Sequence, residues 1–270
     1  MIEDTAEPST DQGPGPKPAP AAAGRRGVGV VIVNYATARL VIDALPPLLA
    51  ELDRLEAAEP HRVVVVDNAS PGPDVTVLSD AIATHGWGPR VRLVASPING
   101  GFSAGNNLGF RALREDGMHP EAVLLHNPDA AVRPGALAEM LRVMRTTPSA
   151  GFVGPRQASP DGSSWSGAFP FPSLASEVAQ ALGINALAER YPTVIEGLEA
   201  PTRVDWVSGT ATLIRGEALE ALGDMDEGYF LYHEEVDYAR RAAALGWESW
   251  HAPAAVFEHD AGSATGVSDG

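Results

Sequence analysis

The apolar pattern begins abruptly at Val28. Residues 28–33, Val-Gly-Val-Val-Ile-Val, form an unbroken apolar run. Strict alternation would mark a half-exposed strand, whereas a continuous run predicts a strand covered on both faces. Similar runs recur at 62–67 (Arg-Val-Val-Val-Val-Asp), 91–95 and 122–125. Between them, helical spacing predicts a helix over 37–58, kinked or split at Pro46 and Pro47, and another over 75–85. A third helix is expected over 134–147, with Pro134 suited to its first turn. Residues 99–107, Asn-Gly-Gly-Phe-Ser-Ala-Gly-Asn-Asn, read as a glycine-rich turn leading into a helix that ends near Glu115. Strands alternating with helices predict an α/β fold, a mainly parallel sheet with right-handed crossovers.

The second half is less regular. Short strands are expected over 151–155 and over 203–215, the latter interrupted at Ser208 and Gly209. Helices are expected over 172–183 and from the acidic segment 224–237 to about Leu245. Two final strands, 248–250 and 254–257, run up to His259. The stretch 184–201 reads as a variable connection. With no repeat and no clear linker, residues 27–266 are expected to form one domain. Its nucleotide-binding half is 27–150 and its acceptor-binding half 151–266.

Four predicted strands end in the same way, at Asn34, Asp67-Asn68, Asn99 and Asn127-Pro128-Asp129. Asn and Asp favour turns, so one such case means little. Four at the same end of a parallel sheet suggest a binding edge, because ligands of open α/β sheets sit beyond the strands' carboxyl ends. At the last of them, Pro128 ends strand pairing and Asp129 falls just beyond the sheet. A carboxylate there suits a hard divalent cation held against a diphosphate.

Composition narrows the chemistry. A formal charge of −16 argues against a nucleic-acid surface. There is no cysteine, so thiolate catalysis and Cys-based zinc sites are excluded. Lys17 is the only lysine and lies in the Pro/Ala-rich stretch 1–26, expected to be a disordered tail; 267–270 is expected to be a C-terminal tail. A Schiff-base or P-loop lysine in the folded part is therefore ruled out. No apolar run reaches membrane-spanning length and no signal peptide is visible, so a cytoplasmic protein is expected.

Several residues invite a functional reading beside an ordinary one. Asp67 could accept from a pyrimidine N3–H, and an Asx turn explains it equally well. The glycine-rich stretch could cradle a nucleotide, although it matches neither the dinucleotide fingerprint nor a P-loop. Glu234, Glu235 and Asp237 begin a helix, where the dipole favours acids. Tyr229, Phe230 and Tyr232 beside those acids also suit a sugar site with a general base. Arg240 and Arg241 could steady the carboxylates or a diphosphate, and His259 could be a metal ligand. Gly266-Val-Ser-Asp-Gly270 matches the serine-hydrolase elbow only by chance, having no helix after it.

Together these motifs resemble the inverting family-2 glycosyltransferases of GT-A fold. The resemblance rests on Val-Val-Ile-Val-Asn-Tyr35, Val-Val-Asp-Asn-Ala-Ser70, the 99–107 stretch, Asn127-Pro128-Asp129 and Trp206-Val-Ser-Gly209. It continues through Met-Asp-Glu-Gly-Tyr-Phe-Leu-Tyr232, Glu-Glu-Val-Asp237 and His-Asp-Ala-Gly-Ser263. Within the family the chain is most similar to bacterial rhamnosyltransferases that use dTDP-L-rhamnose on polyprenyl-diphosphate-linked sugars. The resemblance implies a dTDP- or UDP-sugar donor, a glycan or polyprenyl-linked acceptor, and peripheral contact with the inner face of the plasma membrane. It places Asn34, Asp67, Asn99, Gly101, Asn106 and Asn127 around the nucleotide, and Mg²⁺ or Mn²⁺ on Asp129 and His259. Trp206, Gly209, Asp226 and Glu234 fall on the acceptor side. Glu235 takes the place of the catalytic base, with Glu234 capping the helix or pairing with Arg241. Two positions depart from the family pattern: the acidic pair is Glu-Glu where aspartate is usual for the base, and His126 stands where a small residue is commoner. Two rivals are a sugar-1-phosphate nucleotidyltransferase, which usually needs lysines this core lacks, and a non-catalytic nucleotide-sugar binder.

Overall fold

The computed structural model describes residues 26–57, 59–159, 162–182, 190 and 192–259. The expected tails, most of the 184–191 stretch and the 260–263 motif residues lie outside them.

The first half follows the predicted order: β1 (Val28–Asn34), α1 (Ala38–Asp53), β2 (Arg62–Asp67), α2 (Asp74–Thr84), β3 (Val91–Ala95), α3 (Gly101–Glu115) and β4 (Ala122–His126). β5 (Ala130–Val132), α4 (Ala136–Thr146) and β6 (Ala150–Ala158) follow. Then come β7 (Ser164–Trp165), β8 (Ala168–Phe169), α5 (Leu174–Leu182), β9 (Thr202–Val204), β10 (Trp206–Val207) and β11 (Ala211–Arg215). The last elements are α6 (Gly216–Leu222), α7 (Glu234–Ala244) and β12 (Glu248–His259).

One sheet takes strands from both halves, in the order β3-β2-β1-β4-β11-β6-β12-β5. β1 pairs in parallel with β2 and β4, and β11 runs antiparallel between β4 and β6. Successive β1 residues serve opposite layers. Val30 and Ile32 pack with Val41, Leu45, Leu48 and Leu137, whereas Val31 packs with Phe110, Leu113 and Tyr238. Covering on both faces is the reason the strand sequences are continuously apolar.

Four local expectations change. α1 runs through Pro46 and Pro47 as one helix; its buried Leu45, Leu48, Leu49 and Leu52 hold it against the sheet. The glycine-rich stretch is the first turns of α3 rather than a turn before it. A Cβ at Gly105 or Gly109 would come within 2.7 Å of Val33 and 2.3 Å of Val31, so these glycines let the helix lie directly on β1. The final two strands are one, β12, with a register shift between Ala252 and Val256. Pro253, lacking an N–H, sits in that irregularity. The strand expected over 203–215 divides into three strands, β9 on β12, β10 on β8, and β11 between β4 and β6.

Candidate active site

The carboxyl ends of β1, β2 and β4 open on a cleft of about 320 Å³. Tyr35, Asn68, Asn99, Gly101, Phe102, Asn127 and Phe230 are among its lining residues. At the same strand ends lies a network of closed hydrogen bonds whose central residues, Asn34 and Asp67, are not among the cleft residues. Asn34, fully buried, donates to Asp67 Oδ1 at 2.7 Å and accepts from the Thr37 N–H and hydroxyl at 3.2 and 2.9 Å. Asp67, 1% exposed, also accepts from the Ser70 hydroxyl (2.6 Å) and N–H (3.1 Å). The Asx-type turn and the strand-end carboxylate are thus one structure, which leaves some acceptor capacity on Oδ2.

Asn68 and Asn99 fix the next rim. Asn68 Nδ2 donates to Asn99 Oδ1 at 2.9 Å and to the Gly101 carbonyl at 3.0 Å, and the Gly101 N–H donates back to Asn99 Oδ1 at 3.0 Å. Gly101 has φ +82°, and a Cβ there would meet the Phe230 carbonyl at 2.1 Å. The Phe102 N–H donates to that same carbonyl at 2.8 Å, so the acidic-aromatic loop is tied down at this glycine. Asn107 ties it from beneath, donating to the Met225 carbonyl (2.9 Å) and Glu227 (3.0 Å) and accepting from the Met225 N–H (2.8 Å). Asn106 donates to the Phe102 carbonyl at 3.0 Å inside α3 and is not among the cleft residues. Asn127 lines the cleft beside Pro128, and its N–H donates to the Thr210 carbonyl at 2.9 Å.

Residues far apart in sequence meet around Asp129. β12 pairs with β5 in the register His259 opposite Ala130, which sets His259 Nε2 3.4 Å from Asp129 Oδ2. The Asp129 side chain is only 4% exposed, yet Oδ1 has no hydrogen-bond partner, nor has His259 Nδ1. A buried carboxylate oxygen with nothing to accept from is costly unless a ligand satisfies it. This donor set, a hard carboxylate oxygen and an imidazole, fits Mg²⁺ or Mn²⁺ sharing its remaining positions with phosphate oxygens and water. Among the described residues no cluster of three metal-ligating side chains exists. His126 packs edge-on to Phe257, and burial lowers its pKa to about 4, so the ring is neutral.

The acidic pair stands at the start of α7, after two consecutive left-handed residues, Tyr232 (φ 69°) and His233 (φ 70°). Such backbone outside glycine is strained and concentrates at functional loops. Glu235 lies against Gly209, its Oε1 3.7 Å from where a Gly209 Cβ would be, and its Oε2 is enclosed without a partner. It borders a void of about 10 Å³, near the minimum for one water, and Phe102 lines both that void and the cleft. Burial raises the Glu235 pKa. Glu234 is 5% exposed, and burial, with Glu235 beside it, raises its pKa to about 7.

The expected pairing of Glu234 with Arg241 does not form. Arg241 Nε donates to Asp237 at 2.9 Å, one helical turn away on the same face, and its Nη1 and Nη2 donate to the Leu222 and Asp224 carbonyls. Arg241 is therefore a carboxylate partner that joins α6 to α7. Asp226 is exposed and accepts from the Gly228 N–H at 2.8 Å. Trp206 stacks on Phe169 at 4.2 Å and donates to the Pro170 carbonyl at 2.9 Å. Sequence reasoning left Asn68, Phe102 and Asn107 out of the site. All three lie inside motifs it used, but their roles depend on cross-chain partners that no local pattern reveals.

The site thus combines a strand-end cleft, a buried Asp–His pair and an acidic pair whose Glu235 lies against Gly209. The chain belongs to the glycosyltransferase-like family 2, whose family model matches residues 25–269. The N-acetylglucosaminyl-diphospho-decaprenol L-rhamnosyltransferase of Mycobacterium tuberculosis is 33% identical over 248 residues, 88% of this chain and 77% of that one. The low-salt glycan biosynthesis hexosyltransferase Agl10 of Haloferax volcanii is 26% identical over 179 residues, 66% of this chain and 52% of that one. Among solved structures, the mannosyltransferase PcManGT from Pyrobaculum calidifontis, in complex with GDP-Man and Mn²⁺, superposes with a TM-score of 0.58 at 20% identity. It is covered over 57% of its length by 87% of this chain, so the chain spans little more than half of it. S. aureus TarS 1-349 in complex with UDP gives 0.56 at 14% identity, covering 86% of this chain and 60% of that one. The fold is GT-A, and the protein is a glycosyltransferase.

Proposed function

We propose that the protein transfers a hexose, L-rhamnose, from a dTDP- or UDP-linked donor to a hydroxyl of a glycan or polyprenyl-linked sugar in cell-wall or surface-polysaccharide assembly. The observation that carries this reading is the buried, unsatisfied Asp129 carboxylate 3.4 Å from His259 at the strand-end cleft. The choice of rhamnose and of a lipid-linked acceptor is supported by the mycobacterial relative. Such an acceptor implies work at the inner face of the plasma membrane. Among the described residues no helix is long and apolar enough to cross a membrane, so contact there would be peripheral.

Asp129 and His259 would hold Mg²⁺ or Mn²⁺, which when bound supplies positive charge against the leaving diphosphate. Asp67, through its remaining Oδ2 capacity, accepts from a pyrimidine N3–H, and Asn99 with the Gly101 turn shapes the nucleotide wall. The acceptor hydroxyl attacks the anomeric carbon from the face opposite the leaving group, which inverts the configuration. Glu235 takes the hydroxyl proton. Because burial raises its pKa, Glu235 becomes a base only above the usual carboxylate range, so the acid limb of the rate profile lies correspondingly high. The enclosure of Glu235 Oε2 favours one second reading, a non-catalytic nucleotide-sugar binder.

Donor turnover tests both. With Mn²⁺, dTDP-rhamnose or a UDP-sugar should slowly release its nucleoside diphosphate without acceptor; a pure binder releases none. Calorimetry should show dTDP or UDP binding more tightly than GDP, and EDTA should weaken it. GDP binding as well as UDP would remove Asp67 from base recognition. Affinity unchanged by EDTA would remove the metal.

A further inference from the structure

Trp165, whose ring meets His259 edge-on with centroids 6.3 Å apart, also lines a second cavity of about 250 Å³. Its walls come from β6, β7, β12 and the segment 196–199, away from the donor cleft, and no residue is shared between the two. Two features of its lining leave polar capacity unused. His251 is fully buried, and neither ring nitrogen has a well-formed hydrogen bond. Arg156 donates to the Leu198 carbonyl at 3.0 Å and, among the described residues, has no carboxylate partner. Most other arginines here are ion-paired, including Arg92, Arg133, Arg145 and Arg241.

The remaining walls decide the ligand class. Glu196, which accepts from the Ser166 N–H at 3.2 Å, and Glu199 face the same space as Arg156, along with the Ser164 hydroxyl. Burial and the neighbouring Arg156 lower the His251 pKa to about 4, so the imidazole is neutral and offers one donor and one acceptor. One cation against two carboxylates repels a phosphate. Mixed donors and acceptors beside the Trp165 indole suit a ring of hydroxyls, whose C–H groups can pack on an aromatic and whose oxygens can use both kinds of partner.

We propose that this cavity is a second saccharide pocket, which seats a neutral pyranose of the acceptor glycan adjoining the sugar that receives the transferred residue. The proposal rests on the reading of the acceptor as a glycan. Saturation-transfer NMR tests it on the full chain, with the methyl glycosides of N-acetylglucosamine, rhamnose and galactose in EDTA and without nucleotide. At least one should bind at millimolar concentration. Binding should vanish in Ser164→Trp, which fills the cavity from an exposed position, and weaken about tenfold or more in Arg156→Gln. Affinity for dTDP or UDP should be unaltered in both variants. If no glycoside binds, if the variants bind as the wild type does, or if inorganic phosphate displaces the sugar, the saccharide assignment is overturned. In transfer assays, Ser164→Trp should raise KM for a disaccharide glycoside and leave that for the monosaccharide unchanged. An equal effect on both overturns the acceptor part, leaving a pocket for a free sugar. Failure of donor turnover in the wild type would sink the transferase reading separately, since the NMR measurement does not depend on it.

Discussion

The two polar constellations at the sheet edge are built in opposite ways. Around β1 and β2, the Asn34–Asp67–Ser70–Thr37 network satisfies its buried groups internally. Around β4, β12 and α7, Asp129 Oδ1, His259 Nδ1, Glu234 Oε2 and Glu235 Oε2 are enclosed without partners. Buried polar groups that are paired rigidify a scaffold, and those left unpaired cost stability and are kept where a ligand or a proton will meet them. The same residue types at strand ends are thus mostly paired around Asp67 and left open around Asp129, and on the reading proposed above the open ones carry the chemistry. Substitution should separate the two: on the chemical side rate or affinity changes with little loss of stability, on the frame side the reverse.

The largest effect is expected at Glu235. Glu235→Gln keeps the shape but cannot take a proton, so transfer should fall roughly 10²–10⁴-fold with donor affinity unchanged. Wild-type turnover would place the base elsewhere, with Asp226 the next candidate. Asp129→Asn comes next: metal-dependent diphosphate binding should weaken roughly 10–100-fold while the melting temperature holds or rises, because a buried carboxylate with one oxygen unsatisfied is removed. His259→Ala should show a smaller loss of the same kind. Calorimetry with and without Mn²⁺ measures both.

On the frame side, Asn34→Ala removes one of the three donors to Asp67, leaving those of Ser70, and should cost about 1–3 kcal/mol of stability, read by urea unfolding, with nucleotide affinity changed only a few-fold below the unfolding transition. A larger effect on affinity than on stability would make Asn34 a direct ligand. The smallest effect sharpens the contrast within the acidic pair. The folded pKa of Glu234, about 7, lies above the ordinary glutamate value, so its contribution to stability is full below about pH 4 and is lost as pH rises through 7. Glu234→Gln should flatten that decline and raise stability at pH 8 by about 1–3 kcal/mol, measured by thermal unfolding across pH. A stability loss at pH 8 would mean that the carboxylate is satisfied after all.

The primary structure alone determined the strands of the first half, because sheet strands covered on both faces must be apolar throughout, and 28–33, 62–67 and 122–125 are. It also set the positions where those strands break into Asn and Asp, since Pro128 and the turn-forming residues act on their immediate neighbours. The continuity of β12 could not be read there: Pro253 predicts a break, and only pairing on both sides carries the strand through it as a bulge. Gly101 and Gly105 read as part of a turn until the Phe230 carbonyl lies against the first and β1 beneath the second. Which strand-end carboxylate is spent on the scaffold and which is left open was likewise decided only by tertiary structure. Asp67 finds Asn34 across 33 residues, and Asp129 meets His259 only because β12 returns to pair with β5. Whether a buried polar group is satisfied depends on partners that folding brings from elsewhere in the chain, and local sequence does not contain that information.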